Sequence, residues 1–383
     1  MAKSDTSSRR DATIQKKWLT LLIVISISVA ANLRLLSCAS SNMHQSGVIR
    51  DDDATLPFNP TSTTTKYSNV SHSNDPSVAC FFMVDQKTIE EAMAVRYSHW
   101  GKRCTQFVIF SNGISSSEKV EEQQVDNNTF LVDIQYVIES ELQTRKIVNN
   151  NTNTSDEIIL RYTTFPQPKN ETKQYLSIKS FYSWLYMARM YANQVDYIMK
   201  CDPDTYMLMD NYFHYLSHNY KPTQHVYVGR VFKTNGNHHN PFVTGLSATI
   251  SQTTAKLLLS KSTVHKNEST NPVCSAEEFV NGGEADDYTL AQCLGSMGIY
   301  PSYTRDDLGR ERFLHFNPDN HVFDSNHQPE WYSRYSFTPH SPRSMCCSEE
   351  ACAFHYVGLD RQNDTLVWDK VFGLWHWKNV SKI

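Results

Sequence analysis

The stretch Val195-Asp196-Tyr197-Ile198-Met199-Lys200-Cys201-Asp202-Pro203-Asp204-Thr205-Tyr206 changes from apolar to acidic within a few residues. A short apolar run that ends at two carboxylates one residue apart predicts a buried strand delivering Asp-x-Asp to a loop. Hard divalent cations prefer oxygen ligands and share their coordination between carboxylates and phosphate oxygens. The pattern can therefore hold Mg²⁺ or Mn²⁺ against a diphosphate. Asp and Pro are also ordinary turn residues, so these residues alone leave a polar turn as the other reading.

The flanking sequence sets that strand in a larger pattern. Val78–Val84 is an apolar run of strand length, a helical pattern follows from about Thr88 to Trp100, and Gln106–Phe110 reads as a second strand. Glu139 to Lys173 reads as a polar insertion. Tyr175, Ile178, Phe181, Leu185 and Tyr186 recur at helical spacing, in a run ending near Gln194. Alternation of strands and helices predicts an α/β fold with a largely parallel sheet covered by helices. Ligands of such sheets bind at the carboxyl ends of the strands, where Asp202 and Asp204 would stand.

The N-terminus bears on compartment. Arg9, Arg10, Lys16 and Lys17 precede an apolar run over residues 18–36, near the minimum for a spanning helix. A cleaved signal peptide is the alternative, but the long preceding segment favours a signal-anchor with residues 1–17 cytosolic. Everything beyond it is then lumenal. Residues 37–77 are rich in Ser, Thr, Asn, Asp and Pro and read as a flexible stem, leaving residues 78–383 as one catalytic-sized domain. Asp51-Asp52-Asp53 falls in the stem and reads as a solvated charge run.

Asn-x-Ser/Thr triplets at Asn69, Asn127, Asn150, Asn153, Asn170, Asn267, Asn363 and Asn379 suit a lumenal chain. Excluding Cys38 at the membrane exit, Cys80, Cys104, Cys201, Cys274, Cys293, Cys346, Cys347 and Cys352 form an even set compatible with complete disulfide pairing, and without a CxxC pair their spacing does not suggest a zinc site. The net charge of −4, without a basic run, gives no footprint for nucleic acid.

An ordered series of markers resembles the animal core 1 β1,3-galactosyltransferases of glycosyltransferase family 31. They are Cys80, Trp100, Arg103-Cys104, Ile178–Phe181, Lys200–Tyr206, Gly229–Lys233, Asp286-Asp287 before Leu290 and Cys293, Arg305-Asp306 with Gly309, Cys346-Cys347-Ser348 and Phe354-His355-Tyr356-Val357. The resemblance covers about Val78 to Val357. It implies a GT-A fold and a type II membrane protein of the Golgi or the endoplasmic reticulum–Golgi membranes. It also implies an inverting, Mn²⁺-dependent transfer of galactose from UDP-galactose to O-linked N-acetylgalactosamine on glycoproteins. The enzymes it resembles often dimerise, so a homodimer is among the implied partners.

Residue roles follow from the resemblance and from chemistry. Asp202, Asp204 and His355 would hold the metal, with Asp202 also near the donor diphosphate. Asp287 would be the base that takes the acceptor proton, and Asp286-Asp287 is equally a pair favoured at a helix N-terminus. Arg230 and Lys233 would face the diphosphate or else solvent. Asp306-Asp307 reads as a loop pair without chemistry.

The chain departs from the family at three places. Pro203 replaces a carboxylate, the Val243–Ala248 segment keeps only Gly245 of a glycine-rich run, and Leu314-His315-Phe316 replaces His-Pro-Phe. The second departure motivates a fringe-like transferase of other donor or acceptor as an alternative. A non-catalytic lumenal chaperone sharing the fold is the third reading. If Asp202 and His355 meet, Cys201 and Cys352 become neighbours, and a disulfide between them is expected. Cys80–Cys104, Cys274–Cys293 and the vicinal Cys346–Cys347 are the remaining expected pairs.

Overall fold

A computed structural model describes residues 75–97, 100–112, 122–149, 173–234, 237–263, 271–281, 285–322, 329–338 and 346–358. The first half comprises β1 (Val78–Met83), α1 (Ile89–Tyr97), β2 (Gln106–Ser111), β3 (Glu122–Asp126), β4 (Thr129–Asp133), α2 (Ile134–Asn149), α3 (Lys173–Tyr191), β5 (Tyr197–Cys201), β6 (Tyr206–Met207) and α4 (Met209–Asn219). The second comprises β7 (Tyr227–Val228), β8 (Val231–Thr234), β9 (Asn237–Val243), β10 (Ser247–Ser251), α5 (Gln252–Lys261), α6 (Ala276–Asn281), α7 (Asp286–Ser296), β11 (Phe313–Leu314), α8 (Pro318–Val322), α9 (Glu330–Tyr335) and β12 (Ala353–Phe354).

The central sheet has the order β3-β4-β2-β1-β5-β10-β7. Its inner strands β4, β2, β1 and β5 are parallel, while β3, β10 and β7 join antiparallel. β1, β2 and β5 are buried on both faces, so they read as apolar runs, interrupted in β5 by Lys200. Alternate residues then feed two cores. Ala79, Phe81, Val108, Phe110 and Ile198 face a cluster with α3 and α7. Val78, Cys80, Phe82, Phe107 and Met199 face a second cluster with α1 and α4. Phe81 and Phe82 are fully buried on opposite faces, each stabilising the fold by roughly 1.5–3 kcal/mol. This architecture is consistent with a GT-A fold.

The polar insertion expected from Glu139 to Lys173 begins later than its composition suggests. Helix α2 runs on to Asn149, because Ile134, Val137 and Ile138 bury at helical spacing against the sheet. Residues 150–172, the candidate membrane span at 18–36 and most of the stem lie outside the described residues. Among the described residues, no helix is long and apolar enough to cross a membrane. Of the candidate glycosylation triplets, only the one at Asn127 is described, exposed in the β3–β4 turn.

Disulfides join Cys80 to Cys104, Cys274 to Cys293 and Cys346 to Cys347. The expected Cys201–Cys352 bridge does not form. Both residues are buried thiols in one apolar cluster, and the Cys352 Sγ donates instead to the Glu350 carbonyl at 3.4 Å. Burial pushes both thiols well above their usual proton affinity, so they serve as small apolar core groups.

Candidate active site

Two small strands explain how residues distant in sequence meet. The chain leaves β5 at Cys201, and the Thr205 amide donates to the Asp202 carbonyl at 2.9 Å, closing a turn that projects both carboxylates. β6 then pairs antiparallel with β12, with Phe354 opposite Tyr206. The Val357 amide donates to the Asp204 carbonyl at 2.8 Å. His355, between these two links, is thereby laid against the turn. Its Nε2 stands 3.3 Å from Asp202 Oδ2 and 3.1 Å from Asp204 Oδ1.

One oxygen from each Asp and one His nitrogen lie within 4.8 Å of one another. Two hard oxygens and one imidazole form a donor set that first-row divalent cations, Mn²⁺ included, accept. The Asp202 and Asp204 side chains are 39% and 41% exposed, which leaves room for further ligands from a substrate. Burial pulls the His355 proton affinity down, but its bonds to the two carboxylates outweigh this and raise its pKa to about 9. Burial raises Asp204 in turn, and the His355 hydrogen bond more than reverses this, holding it below the usual carboxylate value. Nδ1 of His355 is buried with no hydrogen-bond partner among the described residues.

A second acidic group lies beside the first. Asp286 and Asp287 occupy the first turn of α7, where the helix dipole favours negative charge. Lys200, in the buried strand β5, places Nζ 2.5 Å from Asp286 Oδ2 and 3.3 Å from Asp287 Oδ1. The Gly245 amide donates to Asp287 Oδ2 at 2.7 Å. Burial, helped by the charge of Asp286, raises the Asp287 pKa to about 7 against the opposing pull of Lys200. A carboxylate with that proton affinity is suited to general-base work near neutral pH.

Gly245 touches both groups. A Cβ built there would lie 2.9 Å from Asp202 Oδ2, so a side chain would press on the metal-type cluster while its amide holds Asp287. The glycine is needed here for close approach rather than for backbone freedom.

The remaining predicted residues sit differently. Arg230 is 2% exposed, paired with Glu311, donating to Ser336 Oγ at 3.0 Å and packed over the rings of Tyr332 and Phe232. Lys233 is half-buried on β8. Asp306 organises its own loop, accepting from the Leu308 and Arg310 amides and the Arg310 side chain. His315 stacks on Tyr332 and stands 5.4 Å, centroid to centroid, from His355. Burial lowers its pKa to about 3, so it is a neutral ring in an aromatic wall with Phe232, Phe316, Trp331 and Tyr356. Trp331 and Tyr356 are 39% and 48% exposed along that wall.

The sequence reading missed Lys200, Gly245 and His315 as parts of the site. Lys200 carried the clearest signal, because a lysine inside an otherwise apolar strand must meet opposite charge when it is buried.

No protein-family model matches the chain. It is 28% identical over 194 residues to glycoprotein-N-acetylgalactosamine 3-beta-galactosyltransferase 1 of Xenopus laevis, an alignment covering 49% of this chain and 49% of that protein. The similarity supports a galactosyltransferase-family relationship. The alignment spans about half the length of that relative.

Proposed function

We propose that this chain is a metal-dependent glycosyltransferase that moves galactose from UDP-galactose to O-linked N-acetylgalactosamine on glycoproteins, with inversion to a β1,3 linkage. The observation that carries the reading is the pairing of an Asp202–Asp204–His355 cluster with a separate carboxylate of raised proton affinity, Asp287. The relationship to a galactosyltransferase supports it.

Asp202, Asp204 and His355 would hold Mn²⁺. When bound, the ion supplies charge neutralisation for the departing diphosphate. Asp287 accepts the proton of the acceptor hydroxyl as that oxygen forms its bond to the anomeric carbon. The bond from that carbon to the diphosphate oxygen breaks, and its electron pair leaves with UDP. A single displacement inverts the anomeric centre. Arg230 and Lys233 are proposed as donor-side cations; for Arg230 this requires that it exchange part of its Glu311 pairing for phosphate. The aromatic wall of Trp331 and Tyr356 offers an apolar boundary of the kind ligand pockets use. We also propose a type II membrane protein with residues 18–36 as signal-anchor and a lumenal domain in the Golgi or early secretory membranes.

The test is transfer by the purified full-length chain from UDP-galactose to an N-acetylgalactosamine-bearing peptide, with and without Mn²⁺. Metal-dependent galactose transfer is expected. Transfer only from another UDP-sugar would move the donor assignment toward a fringe-like enzyme, a reading motivated by the Val243–Ala248 segment, which keeps only Gly245. Absence of any UDP binding would favour a non-catalytic chaperone.

A further inference from the structure

Lys200 lies on the face of β5 that carries Ile198, toward α7, because side chains alternate along a strand. Its side chain is 5% exposed. A buried ammonium is costly unless opposite charge meets it, and the charge here comes from α7 rather than from the turn. Nζ binds Asp286 Oδ2 at 2.5 Å and reaches Asp287 Oδ1 at 3.3 Å.

The two contacts are unequal, and the inequality has a use. Asp286, 6% exposed, takes the short contact and anchors the ammonium. Asp287 takes the longer one and keeps its other oxygen on the Gly245 amide. Each oxygen of Asp287 is therefore directed by one neighbour, and neither neighbour has claimed both. A lysine bound tightly to Asp287 alone would fix the carboxylate but weaken it as a base. A lysine shared with Asp286 fixes its direction at smaller cost to its basicity.

We propose that Lys200, anchored by Asp286, is a positioning residue that sets the direction in which Asp287 presents an oxygen to the acceptor hydroxyl. The proposal rests on the glycosyl-transfer reading above. A lysine that merely neutralised charge would act on stability and on how readily Asp287 ionises, so its loss would be made good at high pH; a misdirected carboxylate stays slow even where Asp287 is fully ionised.

The experiment compares the full-length chain with Lys200→Met and Lys200→Arg. It measures transfer kcat and acceptor KM across pH and compares kcat on the high-pH plateau, with Mn²⁺-dependent UDP affinity by calorimetry and thermal unfolding alongside. Lys200→Met is expected to lower kcat by about 100-fold while UDP affinity holds, since misdirecting a reacting group by ~1 Å costs that much. Lys200→Arg, which keeps the charge, is expected to recover part of the rate. Unchanged kcat in Lys200→Met, or a fall in kcat matched by an equal fall in UDP affinity, would overturn the positioning role.

Should Lys200→Met fail to fold, Asp286→Asn provides the second arm. It releases the anchor without removing the ammonium, and kcat is expected to fall with UDP affinity retained; an unaffected kcat overturns the proposal. A wild-type chain that binds UDP with Mn²⁺ but transfers nothing sinks the transfer reading itself. An active wild type with unaffected variants sinks only the role of Lys200.

Discussion

Strand β5 feeds two neighbouring pairs of aspartates that differ in burial and in partner. At its end, Asp202 and Asp204 are partly open to solvent and share one imidazole. Within it, Lys200 locks Asp286 and Asp287 in a site whose side chains are 5%, 7% and 18% exposed. The open pair keeps lone pairs available and its Asp204 charged, as a cation site needs. The enclosed pair cannot comfortably carry two charges beside one lysine, and Asp287 responds by holding its proton more tightly. Residue type is the same in both; burial and partner decide whether a carboxylate is fit to bind a metal or to take a proton.

The largest expected effect separates the two. Asp204→Ala removes one of the two carboxylates that would hold the cation, and metal-dependent UDP binding is expected to vanish while the circular dichroism and unfolding temperature persist. Unchanged UDP affinity would mean that the open cluster does not hold the metal. Asp287→Asn comes next: kcat is expected to fall by about 100- to 10,000-fold, the usual worth of a general base, with UDP affinity preserved. If that variant lost UDP binding as completely as Asp204→Ala, the two clusters would have to be regarded as one site.

A pH profile sharpens the same contrast. Asp287 works as a base only when ionised, and its pKa is raised to about 7 by burial and by Asp286, with Asp202 adding to the rise and Lys200 and the Gly245 amide opposing it. Transfer kcat/KM is therefore expected to rise with pH through about 7 and to be depressed on the acid side. A profile flat from pH 5 to 8 would contradict the assignment of Asp287.

These contrasts were only partly legible in the sequence. β5 was legible because an apolar run stops abruptly at charge, and α7 because Tyr288–Ala291 continues a helix behind two acidic residues. The short links were not. His355 reaches Asp204 through two strands of two residues each, β6 and β12, too brief to leave any periodicity. It came into view only through its resemblance to a family motif. β10, Ser-Ala-Thr-Ile-Ser, is fully buried between β5 and β7, yet small polar residues hide it as a strand. The Cys201–Cys352 expectation failed for a related reason. Proximity of neighbouring residues says nothing of side-chain direction, and Cys352 turns toward Glu350.

The smallest effect tests whether the clusters are mechanically joined. Gly245 is the point where a backbone amide holding Asp287 passes within contact of Asp202. In Gly245→Ala the new methyl would stand 2.9 Å from Asp202 Oδ2, nearer than carbon and oxygen tolerate. The backbone there is anchored to Asp287 and, one residue away, the Thr244 amide to the Arg230 carbonyl, so the Asp202 carboxylate is the softer partner. Turning that side chain off its rotamer costs about 0.5–1.5 kcal/mol, or roughly two- to tenfold in an equilibrium constant. Mn²⁺-dependent UDP affinity is expected to fall by that factor, with kcat falling no further. A larger loss confined to kcat would show that the Gly245 amide moved instead, and that the base rather than the metal ligand is the yielding half of the site.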